Sequence, residues 1–152
     1  MWIRRHIHLF LTGLALLTLA KIALAEDSAI GYVKTSQGQT EVVVAGKPIQ
    51  AAPGTPVFQN SVLKTGKNSS LGVTFKDNTI MSLGPDTELL IDEYLYAPAK
   101  DELKLGGRIT KGTLNYASGV IAKLKPEAVV IRTPSGNIGV RGTHFVLSVV
   151  ED

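Results

Sequence analysis

From Glu26 to Asp152 the apolar residues hold no sustained helical period. They come in short runs, each closed by Gly, Pro, Asn or Asp. "AIGYVKT", "TEVVVAG", "SVLKTG", "SLGVTF", "NTIMSLG", "TELLIDEYLY", "ELKLGG", "GTLNYASG", "EAVVIRTP" and "THFVLSVV" read as strands. In Leu71 to Phe75 the odd positions are apolar and the even ones small or polar, the two-residue period of a strand with one buried face. Only Gly13 of the chain's 15 glycines precedes Glu26, and all seven prolines follow it, which leaves little room for a long helix. One stretch, Ser118 to Ala128, has helical character, and Pro126 limits it to about two turns. Two stretches resist a strand reading. Lys47 to Val57 holds three prolines and must be loop, edge or corner, and Ala97 to Glu102 reads as an exposed turn. Strand and turn signals recur at roughly the 8–12 residue spacing of a sandwich, barrel or roll. The expected fold is all-β, a single domain of many short strands over residues 26–152.

The first 25 residues follow a different logic. Arg4, Arg5, His6 and His8 precede an apolar stretch from Leu9 to Ala20, and Ala23-Leu24-Ala25 supplies a small-x-small site before Glu26. These are the three parts of a secretory signal peptide, with cleavage expected after Ala25. The apolar centre of 12 residues falls short of the roughly 20 needed to span a bilayer. With no cysteine in the chain, a lipid anchor on that residue and a disulfide framework are both excluded. A periplasmic or secreted bacterial protein is expected. Of the 16 basic residues, Arg4, Arg5 and Lys21 belong to the leader, so 13 basic and 13 acidic residues remain after it. The excess positive charge is the leader's own, and the rest offers neither nucleic acid nor an anionic membrane a net electrostatic footprint.

Thr65 to Ile91, "TGKNSSLGVTFKDNTIMSLGPDTELLI", reads as Thr-Gly, a strand ending at Phe75, a tight turn at Asp77-Asn78-Thr79, and a second strand stopped by Gly84-Pro85. Asn78 suits the left-handed conformation such a turn requires, and Asp86 suits the turn that follows. The order resembles the FecR-like domain, the periplasmic module first recognised in regulators of bacterial iron uptake. That family runs Thr-Gly, a strand ending in Phe, Asp-Gly-Ser, Gly-Pro, Leu-x-Gly-x-Leu, Thr-Pro-x-Gly and Val-Arg-Gly-Thr-x-Phe. The matching elements here are Leu63 to Gly66, Phe75 to Thr79, Gly84-Pro85, Gly107 to Gly119, and Thr133 to Phe145. The residues carrying the motif are thus Thr65, Gly66, Phe75, Asp77, Gly84, Pro85, Thr133, Pro134, Gly136, Arg141, Gly142, Thr143 and Phe145. The resemblance spans about Ile30 to Val150 and implies a two-sided, β-helix-like roll. Asp77-Asn78 stands for the family's Asp-Gly, and Asn60-Ser61 for an upstream Gly-Asp. Sensor members add a transmembrane helix and a signalling region. This chain looks like the bare domain behind an export signal, so sigma-factor signalling is not carried over.

The candidates for chemistry are few. His144 is the one histidine after the leader. In a strand it shares a face with Ser148, roughly 13 Å away and too far for a nucleophile–base bond. Asp77, Asp86, Glu88, Asp92 and Glu93 invite a calcium site but lack a ligand loop, and read as solvated turn and edge charges. Tyr94 and Tyr96, with Asp92, share a strand face that could meet a sugar ring, although rim packing is the ordinary role of such tyrosines. Lys100, Lys104, Arg108 and Lys111 sit among Asp101 and Glu102 and read as a solvated face. No catalytic, cofactor or metal set is expected. The function expected is a non-catalytic exported interaction or sensing module that binds another envelope protein, with a glycan or polysaccharide as the alternative ligand. Arg141-Gly142-Thr143 is expected to form a structural corner, with a strand from Phe145 to Val149 after it.

Overall fold

The computed structural model describes residues 28–141 and 144–150. The leader and the Gly142-Thr143 part of the expected corner lie outside the described residues. Strand makes up 60% of the described residues and helix 9%, so the all-β expectation holds. In chain order the strands are β1 (Gly31–Gln37), β2 (Thr40–Val44), β3 (Lys47–Gln50), β4 (Pro56–Val57), β5 (Val62–Thr65), β6 (Ser70–Phe75), β7 (Ile80–Leu83), β8 (Glu88–Ala97) and β9 (Glu102–Ala117). A short helix, α1 (Val120–Leu124), precedes β10 (Val129–Thr133), β11 (Gly136–Gly139) and β12 (His144–Val149).

β9 organises the sheet. Its first part, to Lys111, lies between β8 and β10; its last part, from Gly112, lies between β7 and β12. One half of the roll therefore runs β3-β2-β5-β8-β9-β10-β11 and the other β4-β1-β6-β7-β9-β12. Among the described residues only the β10–β9 ladder is parallel. The sheet curls at Gly112, whose φ of +93° is open to glycine and strained for other residues. A Cβ there would lie 2.1 Å from Thr87 Oγ1 and 2.4 Å from Thr87 Cα.

The two halves close over one core. Val33, Leu71, Val73, Met81, Leu83, Leu114 and Tyr116 enter it from one side; Val42, Leu63, Leu89, Ile91, Leu105, Ile109, Val129 and Ile131 enter from the other. The proline-rich stretch supplies both outer edges, β3 with Pro48 and β4 with Pro56, where a missing N–H disturbs no inner ladder. The helical expectation is met by α1 and a single 3₁₀ turn, Pro126–Ala128. Ala97 to Glu102 forms the β8–β9 turn, with Asp101 left-handed at φ 54°. Asn78 takes φ 65° in the β6–β7 hairpin, as its turn requires.

Candidate functional site

The motif residues Thr65, Gly66, Phe75, Asp77 and Gly84 fall into two buried hydrogen-bonded nodes. In the first, Thr65 Oγ1 donates to the Gly84 carbonyl at 2.6 Å and accepts from the Thr87 N–H at 2.9 Å. Thr87 Oγ1 accepts from the Thr113 N–H at 2.9 Å, across the bend at Gly112. Asp86 contributes its backbone N–H, to the Gly66 carbonyl, while Thr87 ties the turn with its hydroxyl. Gly84 lies against Thr113, whose Cβ would be 3.3 Å from an added methyl. This node locks β5, β7, β8 and β9 together where the sheet curls.

The second node is built on Asp77, which is wholly buried. The expectation of a solvated turn charge is therefore wrong for this residue. Its Oδ2 accepts from the Thr79 hydroxyl at 2.7 Å and the Ile121 N–H at 3.1 Å. Its Oδ1 accepts from the Tyr94 hydroxyl at 3.1 Å and the Thr79 N–H at 3.3 Å. The Asp77 N–H in turn donates to the Tyr94 oxygen at 3.0 Å. Four donors compensate one buried carboxylate, and they come from the β6–β7 turn, β8 and α1. Phe75 stacks on Tyr94 with ring centroids 5.6 Å apart. Burial, and then the Asp77 charge, push the Tyr94 hydroxyl far above its ordinary range. Tyr94 is thus committed inward, and Tyr96 packs against the core beside it. The pair is rim packing, not a sugar platform.

Other candidates are equally accounted for. At the upstream departure from the family pattern, Asn60 adopts the left-handed φ of 67° that suits a glycine, and Ser61 Oγ accepts from the Phe58 N–H. A bulge in β8 turns Asp92 and Glu93 outward over Gly106. Arg132 Nη1 bonds both Asp92 oxygens at 3.2 Å, and Lys104 reaches Glu93 at 3.3 Å. Of the acids that suggested calcium, Glu88, Asp92 and Glu93 are paired with bases, and among the described residues no three ligating side chains converge. Thr133 Oγ1 closes the β10–β11 turn by accepting from the Ser135 and Gly136 N–H groups; Pro134 sits inside that turn. Arg141 is exposed and makes no ion pair with another described residue. His144 projects outward, with its Nε2 hydrogen-bonded to the Asn115 amide oxygen. Phe145, Leu147 and Val149 face inward as the alternation predicts, with Phe145 stacked on Tyr116 at 4.9 Å.

The feature that sequence reasoning missed is a difference between the two outer faces. On the β3–β11 half, the outward positions carry Glu41, Lys64, Glu88, Asp92, Glu93, Lys104, Arg108 and Arg132. On the β4–β12 half the outward positions that pair across the ladders align in rows without a single Asp, Glu, Lys or Arg, and Lys34, exposed in the β1 bulge between two of these rows, is the charge that half carries. One row reads Tyr32, Thr74, Ile80, Ala117 and His144 from β1 to β12. The next reads Thr35, Gly72, Ser82, Asn115 and Val146. Tyr32, Ile80 and Val146 are 44%, 45% and 62% exposed, so the apolar groups stand in solvent among hydroxyls and amides. The face ends at β12, whose far edge is unpaired among the described residues. Chemically it can bury and hydrogen-bond a neutral surface, with Lys34, whose long side chain can keep its ammonium in water, as the one charge among the described residues of β1, β4, β6, β7, β12 and the last part of β9.

No curated protein and no solved structure matches the chain significantly. A family model described as FecR protein matches residues 61–152, which takes in every motif element from Leu63 onward and leaves β1 to β4 outside the matched span. That is more than half of the 152 residues, and the chain belongs to the FecR family, a regulatory sensing family of the bacterial envelope.

Proposed function

We propose that this FecR-family chain is exported and acts as a non-catalytic sensing module that docks another envelope protein on the uncharged face of β1, β6, β7, β9 and β12. The observation that carries the reading is the asymmetry of the two outer faces. A charged face is satisfied by water and by its own ion pairs. A neutral face with Tyr32, Ile80 and Val146 exposed leaves apolar area uncovered, and desolvating its rim costs little. Tyr32 is the kind of anchor that protein interfaces favour, and the scarcity of charge around it matches the cores of such interfaces. The partner surface that fits is itself neutral, since a strongly charged one would lose hydration without gaining a counter-charge.

Site-specific photo-crosslinking in cells tests the reading. A crosslinker at Ile80 should give one discrete protein adduct, and the same group at Leu95 on the charged half should give none. Equal labelling from both positions would count against a dedicated face. Adducts to polysaccharide alone would transfer the face to the glycan alternative. Export is tested by intact mass: protein from the periplasmic fraction should begin at Glu26, and retention of Met1 in a membrane pellet would contradict it.

A further inference from the structure

We infer that β12 pairs antiparallel with β12 of a second copy of this chain, joining two uncharged faces into one continuous sheet. Four strands are edges among the described residues: β3, β4, β11 and β12. Three are blunted in the ways edges usually are. β3 carries Lys47 and Pro48, β4 is two residues long and begins with Pro56, and β11 is four residues flanked by Gly136 and Gly139. β12 has six residues with no proline, glycine, lysine or acid, and it pairs with β9 in unbroken register from His144 to Val149. It is the one edge with a regular, unprotected ladder.

The occupant follows from the strand's own pattern. In an antiparallel pair, residues directly opposite each other share a face. A two-fold axis through Val146 sets Val146 against Val146 of the copy, Phe145 against its Leu147, and His144 against its Ser148. Apolar meets apolar inside and out, and no like charges meet. An added strand is selected by how its alternate side chains fit those opposite, and β12 supplies its own complement, Phe145 to Leu147 inside and Val146 to Val146 outside. The inward side chains Phe145, Leu147 and Val149 are only half-buried, and a paired copy covers the open flank of Phe145 and Leu147 with its own Leu147 and Phe145. The contact is isologous, so it closes as a dimer instead of propagating. This inference adds a partner at the edge and does not depend on what docks on the face.

The test is sedimentation of the purified protein over a concentration series. A monomer–dimer equilibrium is expected, and Val146→Lys should abolish the dimer, because the axis would set two ammonium groups side by side. At 62% exposure the lysine is tolerated in the monomer, which an unchanged thermal melt will verify. The chain contains no cysteine, so Val146→Cys gives a clean second readout. Opposed Cα atoms in such a ladder lie about 4.5–5.5 Å apart, within disulfide range, and mild oxidation should yield a crosslinked dimer. Ile49→Cys on β3 should not crosslink under the same conditions. A wild-type protein that stays monomeric at every concentration overturns the inference, as does a dimer that survives Val146→Lys. Crosslinking of Ile49→Cys as fast as Val146→Cys overturns it too. None of these results touches the photo-adduct at Ile80.

Discussion

Replacing Asp77 tests the account of the second node atom by atom. Asp77→Asn keeps the shape of the side chain but gives one of its two acceptor positions an NH₂ group. If the NH₂ takes the place of Oδ2, the Thr79 hydroxyl can rotate to accept from it, but the Ile121 N–H loses its acceptor. If it takes the place of Oδ1, the Tyr94 hydroxyl can turn, but the Thr79 N–H is orphaned. Either orientation leaves one buried backbone donor unpaired, at a cost of about 1–3 kcal/mol. Asp77→Ala orphans both backbone donors at once and should cost about 4 kcal/mol, a large share of the 5–15 kcal/mol typical of a domain. Thr79→Val removes a donor whose absence leaves the carboxylate three partners, and about 1 kcal/mol is expected. The ordering Ala > Asn > Thr79→Val is more diagnostic than any single value. Urea unfolding followed by circular dichroism, at constant m-value, measures it. An Asp77→Asn protein within 0.5 kcal/mol of wild type would refute the reasoning, since that result requires water or a solvent-facing rotamer at a site drawn here as closed.

Three further outcomes follow from other parts of the fold. Gly112→Ala should cost more than about 3 kcal/mol, because the methyl meets Thr87 at 2.1 Å in a backbone region alanine avoids; a mild effect in urea would move the bend elsewhere. Truncation before His144 removes three half-buried side chains worth roughly 1 kcal/mol each, about half the full-burial value, and uncovers Tyr116. The truncated protein should lose several kcal/mol or fail to melt cooperatively, whereas Arg141→Ala should change stability by less than about 0.5 kcal/mol. Burial raises the Tyr94 and Tyr116 hydroxyls above their ordinary values in the folded state. Their stabilisation is thus fully present below the unfolded value of about 10 and lost as pH rises beyond it. Absorbance at 295 nm should show tyrosine ionisation coinciding with loss of the circular dichroism signal above pH 10; ionisation of all four tyrosines in a still-folded protein would contradict the burial.

What the sequence revealed about the fold is what short stretches of chain determine. Alternation marked the strands, Asn78 marked the hairpin, and the three prolines of Lys47 to Val57 limited that stretch to loop, edge or corner, because each follows from the conformational limits of a few neighbouring residues. The failures are nonlocal. "ELKLGG" and "GTLNYASG" read as separate strands, since Gly106, Gly107 and Gly112 interrupt the alternation, yet they form one β9 of 16 residues. Gly106 is required by the Asp92 and Glu93 side chains above it, and Gly112 by Thr87, contacts that no local window contains. Asp77 read as a surface charge because its compensating donors lie as far as 44 residues away, at Ile121. The neutral face could not be read at all before the register was known. Tyr32, Ile80 and Val146 are isolated apolar residues in sequence, and only the ladder brings them into adjacent rows.

The placement of the family motif explains how one frame can serve different recognition tasks. Thr65, Gly84 and Thr87 close one node, and Phe75, Asp77 and Tyr94 close the other. Both bind by side chains that point inward or along the turns, and both tie β8 to the rest of the roll. The outward side chains Thr35, Thr74, Ile80, Ser82 and Ala117 contribute no hydrogen bond to either node. Their replacement therefore alters what the face presents while leaving the buried acceptors filled, and exposed substitutions of this kind usually change stability by less than about 0.5 kcal/mol. A sensing domain built this way separates its two requirements. The costly polar groups are buried and fully paired, where they hold the curl of the sheet. The face proposed to meet a partner carries neutral side chains that neither node needs.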